Sequence, residues 1–162
     1  MASDGRIARG APAANEALAR PPIARPGDDE PWPPPAREPV SYHYTTDLAA
    51  IRAIAHEHAV KAGLSEARAI DLVLAVSEVA ANTVRHAKSP GTLQIWHDTH
   101  EIVCQLHDEG RITDPLAGRR PPSLEAGGGH GLWIVNEVCD RVELRSDETG
   151  TTIRLHMTLP AS

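Results

Sequence analysis

The feature that most constrains the fold is a long apolar segment at residues 64–87, "LSEARAIDLVLAVSEVAANTVRHA". Ser65 is a typical N-cap residue, and the apolar spacing after it predicts one long helix that is buried on one side. Three polar residues interrupt this helix at steps of four, which places them nearly in line: Glu78, Asn82 and His86. This line is either an ordinary solvated face or the edge of a buried site. In the second case the Asn82 amide oxygen would bind a hard cation, and Glu78 would act as a base or position a water. Apolar residues are expected on the other sides of the helix: Ile70, Val73, Leu74, Val76 and Val84.

The segments around this helix predict an α+β fold. Alternating, β-branched runs predict strands, and a second helical pattern ends at Gly63, a typical helix stop. The predicted order is strand, two helices, two strands, loop, helix, two strands, and each pair of consecutive strands is expected to form a hairpin. Such an order favours a two-layer sandwich of a mostly antiparallel sheet with helices on one face. The connection at 109–130 is too long for a simple link, which suggests that it is functional or disordered. The predicted strands are VSYHYT (40–45), GTLQIWHD (91–98), EIVCQLHD (101–108), RVELRS (141–146) and TTIRLHMTL (151–159).

Residues 1–39 differ in composition from the rest of the chain, because they hold nine of its fourteen prolines. Proline lacks an N–H and fixes φ, so this segment is expected to be a disordered Pro/Ala-rich tail, with one folded domain at 40–162. Trp32 is either a short docking element or an isolated aromatic in a linker.

Charge and cysteine usage narrow the class of protein. The net charge of −6 and the pI of about 5.8 argue against direct nucleic-acid binding, which usually needs a basic face. Cys104 and Cys139 form no CxxC pair and are expected to be reduced, buried thiols. No apolar run approaches the roughly 18 residues of a membrane span, and no signal peptide is evident. The expected location is the cytoplasm.

Two further motifs follow the helix. "LHDEGR" places Asp108 at a strand end with Gly110 two residues later, which suits either a turn or a carboxylate that accepts a hydrogen bond from an exocyclic amine. "GGGHGLWIV" brings four glycines, within Gly127–Gly131, to the start of a helix. Glycine backbones approach ligands closely and helix N-termini favour anions, so this is either a phosphate cradle or a flexible hinge. It is neither a Walker A loop nor a dinucleotide fingerprint.

In this order, with "GTT" at 150–152 in the last hairpin, the motifs resemble the Bergerat-fold (GHKL-type) ATP-binding domain of gyrase-type, heat-shock, histidine-kinase and mismatch-repair ATPases. "SEVAANTVRHA" most resembles the bacterial anti-sigma regulatory serine/threonine kinases. The resemblance covers about residues 40–160. It implies ATP and Mg²⁺ as cofactors, Glu78 as general base, Asn82 as the Mg²⁺ ligand and residues 111–126 as a lid. The nucleotide-binding positions that it implies are Asn82, His86, Asp108, Gly110, Gly127, Gly128, Gly129, His130, Gly131, Leu132 and Thr151.

The resemblance also implies partners: a sigma factor to sequester, a STAS-type anti-sigma antagonist to phosphorylate on serine, and a second copy in a possible homodimer. Neither nucleic acid nor membrane is expected as a direct partner. Ile112 departs from the family's first glycine box, where many relatives have a second glycine. Two other functions remain open. One is a nucleotide-gated protein-binding module without kinase activity, which would have no need of a base at Glu78. The other is a catalytic domain acting on a partner's histidine.

Overall fold

The computed structural model describes residues 32–86, 89–110 and 130–161. Three helices and five strands are present in these ranges, in the order predicted from the sequence. The two long helices follow the first strand, and the third helix lies between the two hairpins. The elements are β1 (Val40–Tyr44), α1 (Leu48–Ala62), α2 (Glu66–His86), β2 (Gly91–His97), β3 (Glu101–Asp108), α3 (His130–Val138), β4 (Arg141–Asp147) and β5 (Gly150–Thr158).

The helix ends follow from local capping. The Asp47 side chain accepts a hydrogen bond from the backbone N–H of Ala50 at the start of α1. Gly63 ends the same helix with φ of 113°, a left-handed conformation that glycine adopts without steric cost. Ser65 Oγ accepts from the Arg68 N–H at 3.2 Å, so the predicted N-cap of α2 is confirmed.

The five strands form one antiparallel sheet in the order β1-β2-β3-β5-β4. Both predicted hairpins are present, and in the register of the central pair Asp108 lies opposite Thr151. All three helices contribute to a single apolar core with one face of the sheet. The fold is therefore the predicted two-layer α+β sandwich.

The buried face of α2 includes only part of the apolar surface of the helix. Its buried positions repeat at helical spacing through Ala69, Leu72, Val76, Val79 and Thr83. Three apolar residues on its other sides are exposed: Ile70, Leu74 and Val84. Small alanines on the buried face let the helix lie close to its neighbours, so packing favours that face over the bulkier side chains.

The outer face of the sheet carries polar side chains and a contact from the proline-rich segment. The Trp32 ring lies 4.9 Å from the Arg145 guanidinium and 5.1 Å from that of Arg154. Arg154 also donates a hydrogen bond to the Pro33 carbonyl at 2.6 Å. Trp32 thus packs on the sheet through cation–π contacts. Residues 1–31 lie outside the described ranges, so the tail and its boundary at residue 40 remain predictions.

The expectations about the two cysteines and about membrane spans concern residues that the structure describes. Cys104 and Cys139 are both buried, and burial raises the pKa of the Cys104 thiol well above its usual range. No helix in the described part of the chain is long and apolar enough to cross a membrane.

Candidate active site

Asp108 sits at the end of β3, where backbone groups and hydroxyls from two strands surround it. Its Oδ1 accepts a hydrogen bond from the Gly110 N–H at 2.8 Å, which closes a tight turn after the strand. Thr151 Oγ1 donates to the Gly110 carbonyl at 2.9 Å and lies 2.8 Å from the Ser146 hydroxyl. Asp108, Gly110 and Thr151, which the resemblance implies as nucleotide-binding positions, therefore form one cluster.

Gly150 brings the backbone of β5 against this strand end. Its φ is +131°, and a Cβ there would lie 2.0 Å from the Asp108 carbonyl oxygen. Both the conformation and the close approach require glycine at this position. The "GTT" segment therefore fixes the turn that carries Asp108, in addition to supplying Thr151.

Helix α2 holds Asp108 from the other side. Thr83 Oγ1 donates to Asp108 Oδ2 at 2.7 Å, and the Tyr44 hydroxyl lies 3.0 Å from the same Thr83 oxygen. Burial, with a smaller contribution from the Asp108 charge, raises the pKa of Tyr44 to about 12. The Tyr44 hydroxyl therefore stays protonated at neutral pH.

Glu78, one turn earlier on α2, contacts the start of α3. A Cβ built on Gly131 would lie 2.8 Å from Glu78 Oε1 and 3.3 Å from Glu78 Cβ. Leu132, the next residue, is buried in the core and anchors this end of α3. The absence of a side chain at Gly131 thus lets the backbone approach the Glu78 carboxylate directly.

Helix α2 therefore contacts two separate regions, the end of β3 and the start of α3. Thr83 binds the strand-end carboxylate, and Glu78 lies against the glycine-rich helix start. Five residues separate them, which corresponds to about 7.5 Å along a helix axis.

Asn82 lies between these two contacts along α2 and is half-buried. Its Oδ1 accepts a hydrogen bond from the Arg85 guanidinium. An amide oxygen is a ligand that Mg²⁺ accepts, and Mg²⁺ usually completes its coordination with phosphate and water oxygens rather than with a protein cage. No cluster of three His, Cys, Asp or Glu side chains that could hold a metal occurs among the residues described. Asn82 fits a metal shared with phosphates, provided that Arg85 moves away.

The remaining predicted site residues are only partly described. Gly127, Gly128 and Gly129 lie outside the described residues, as do Ile112 and the predicted lid at 111–126. His86 is the last residue of α2 and His130 is the first of α3. Their assignment to the site stays a prediction.

Three residues of this cluster were not identified from the sequence: Tyr44, Thr83 and Ser146. Thr83 directly follows Asn82 and could have been noticed as a hydroxyl on the helix. No local signal marks Tyr44 or Ser146. The Tyr44 contact joins β1 to α2, and the Ser146 contact depends on the register of β4 with β5.

Comparison with models of known protein families shows to which family this chain belongs. A model of the histidine kinase-like ATPase domain matches residues 43–157, which is most of the chain. The chain belongs to the histidine kinase-like ATPase domain family. The resemblance inferred from the order of motifs is thereby confirmed at the level of the family, and the domain is of the kind that binds ATP.

Two known proteins are similar to this histidine kinase-like ATPase domain. Serine-protein kinase RsbW of Halalkalibacterium halodurans is 30% identical over 91 residues, which are 48% of this chain and 55% of the relative. The chain thus matches about half of the length of this relative. The crystal structure of the RsbU and RsbW domains of Rv1364c from Mycobacterium tuberculosis has a TM-score of 0.54 at 18% identity. That match covers 75% of this chain and 34% of the other, and it supports the fold alone.

Proposed function

We propose that this protein is an anti-sigma factor with ATP-dependent serine/threonine kinase activity. It would bind ATP with Mg²⁺, sequester a sigma factor, and phosphorylate a serine on a STAS-type anti-sigma antagonist. The observation that carries the proposal is the position of α2, which contacts the Asp108 carboxylate through Thr83 and the glycine-rich helix start through Glu78. Similarity to a serine-protein kinase supports the choice of serine as acceptor.

Each end of the site would have its own task. Asp108 would accept a hydrogen bond from the adenine amino group, with Thr151 beside it. The backbone of Gly127–Gly131 would donate to the phosphates, as at other helix N-termini that bind anions. Asn82 would bind the Mg²⁺, which supplies charge neutralisation at the phosphates.

Glu78 would take the proton of the attacking serine. The serine oxygen then forms a bond to the γ-phosphorus as the bond from that phosphorus to the bridging oxygen breaks, and ADP leaves. The half-buried carboxylate of Glu78 lies directly against the backbone of Gly131, so a proton acceptor stands beside the predicted phosphate-binding residues. A protein that only bound nucleotide would not need a base in this place.

Nucleotide binding is the first test, measured as the gain in thermal stability with saturating ATP and Mg²⁺. A ligand at about 100 times its Kd stabilises the native state by roughly 2.7 kcal/mol. Asp108→Ala should remove most of this gain because it deletes the adenine contact. The matched control is Glu109→Ala, which removes the neighbouring exposed carboxylate and should keep the gain. A wild-type protein whose melting temperature ignores ATP and Mg²⁺ would refute the proposal.

The dependence of ATP binding on Mg²⁺ distinguishes the proposed role of Asn82 from that of the residues proposed to contact adenine. Asn82→Ala should weaken binding of ATP in the presence of Mg²⁺ and have little effect when Mg²⁺ is removed by chelation. Equal losses in both conditions would show that Asn82 contacts the nucleotide rather than the metal.

Partner binding is tested by co-purification of candidate sigma factors with the wild-type protein, with and without ATP. Binding of a sigma factor that depends on nucleotide is expected. Nucleotide-dependent binding without any phosphoryl transfer would instead favour the nucleotide-gated module.

A further inference from the structure

A chain of three side chains runs from the first strand to the candidate adenine contact. Thr83 has one hydroxyl proton, which it donates to Asp108 Oδ2 at 2.7 Å; the alternative acceptor, the Val79 carbonyl, is farther away at 3.5 Å. Thr83 must therefore accept at its contact with Tyr44, so the Tyr44 hydroxyl donates at 3.0 Å. The order of donation is Tyr44 to Thr83 to Asp108.

The chain is buried and sterically fixed. Tyr44 is 4% exposed and Thr83 is 3% exposed, so water does not compete for these hydrogen bonds. The Tyr44 ring lies over Gly91, where a Cβ would come within 2.3 Å of the tyrosine Cζ. Only glycine at this place in β2 lets the ring reach α2. The Tyr44 hydroxyl is protonated at neutral pH and can donate.

The chain determines how Asp108 is oriented. Gly110 N–H donates to Oδ1 and Thr83 donates to Oδ2, so both carboxylate oxygens are fixed in direction. The lone pairs that remain can only accept. An amino group at position 6 of a purine can donate to them, whereas a carbonyl oxygen at that position would be repelled.

We propose that Thr83 and Tyr44 are positioning residues that hold Asp108 in the orientation selecting a 6-amino purine over a 6-oxo purine. This proposal rests on the proposed nucleotide-binding function. Neither residue contacts the nucleotide; Thr83 acts through Asp108, and Tyr44 acts through Thr83. Loss of the Thr83 hydroxyl would leave the carboxylate free to rotate and would weaken discrimination as well as affinity.

The test compares the affinities for ATP and inosine triphosphate, which differ at position 6. Thr83→Val keeps the shape of the side chain and removes the hydroxyl. It should weaken ATP binding about tenfold while changing inosine triphosphate binding little, because one positioning hydrogen bond is lost. Thr83→Ser keeps the hydroxyl and should retain the wild-type preference. A merely structural role would lower both affinities together.

Tyr44→Phe supplies a second, independent variant, and it carries the test if Thr83→Val does not fold. It should reduce the preference for ATP about threefold, a fraction of the effect of one net hydrogen bond. The double variant should be no worse than Thr83→Val alone, because Tyr44 acts through Thr83. Tyr42→Phe is the matched control: it removes a hydroxyl from the same strand, but that hydroxyl contacts His58 instead. It should leave the preference unchanged.

The outcomes separate this proposal from the one on which it rests. A wild type that prefers ATP, together with a Thr83→Val variant of unchanged preference, would overturn the positioning role and leave nucleotide binding intact. Additive losses in the double variant would overturn the proposed order of action. A wild type that binds neither nucleotide would overturn both proposals.

Discussion

Because of Tyr44, the protein should lose folding stability at alkaline pH, and the Tyr44→Phe substitution should remove this loss. Burial raises the pKa of this hydroxyl to about 12, compared with about 10 in an unfolded chain. The folded state therefore keeps the proton after the unfolded state has lost it. The corresponding contribution to stability is fully present below about pH 10 and is lost as pH rises to about 12. Two pKa units at 1.36 kcal/mol each amount to roughly 3 kcal/mol.

The measurement is urea unfolding of wild type and Tyr44→Phe at intervals from pH 9 to pH 12. Between these limits the wild type should lose roughly 2 kcal/mol more of its unfolding free energy than the variant loses, because pH 12 is only the midpoint of the folded-state titration. Other groups with raised pKa values, such as the buried Cys104 thiol, are common to both proteins and cancel in the difference. Tyr42→Phe should keep the wild-type pH profile. Parallel profiles for wild type and Tyr44→Phe would refute the assignment of this burial cost to Tyr44.

Three other substitutions test close contacts. Gly131→Ala should slow phosphoryl transfer about 10²-fold, because the new methyl group displaces the Glu78 carboxylate, whose Oε1 lies 2.8 Å from the Cβ position. An unchanged rate would show that this contact does not contribute to phosphoryl transfer. Gly150→Ala should cost at least about 1–3 kcal/mol in urea unfolding, from its left-handed φ and its approach to Asp108, and should weaken ATP binding. Trp32→Ala should lower the unfolding free energy by about 1–2 kcal/mol, because two arginine contacts on the outer face are lost, whereas deletion of residues 1–31 should leave it unchanged. A Trp32→Ala variant as stable as the deletion variant would argue against this packing.

Local signals predicted much of the fold. The caps at Asp47 and Ser65 and the stop at Gly63 are set by groups within a few residues, so the helix limits follow from the sequence. Strand alternation and short turn segments likewise predicted both hairpins. The orientation of α2 could not be obtained in this way. Ile70 is as apolar as the buried residues yet is exposed, because which side of the helix faces the core depends on tertiary packing rather than on local sequence.

The candidate site likewise contains residues that local motifs predicted and residues that depend on tertiary contacts. Asp108, Glu78 and Thr151 were found because each stands in a short motif whose order resembles a known family. The hydroxyls that hold Asp108 were missed because Tyr44 and Thr83 are 39 residues apart in the sequence and meet only in the folded structure. Gly150 was recognised as part of a turn, but the need for glycine arises from the neighbouring strand.

The most direct test of the kinase proposal is transfer of labelled γ-phosphate from ATP to an antagonist protein that the wild type binds. The expected product is an acid-stable phosphate on serine, since phosphohistidine would be acid-labile. Glu78→Gln should slow the transfer about 10²–10⁴-fold with little change in nucleotide affinity. The control Glu66→Gln removes a carboxylate of the same helix that pairs with His56, and it should transfer at the wild-type rate. Transfer by Glu78→Gln as fast as wild type would leave a kinase with a different base. Absence of transfer by the wild type to a bound antagonist would contradict the kinase assignment.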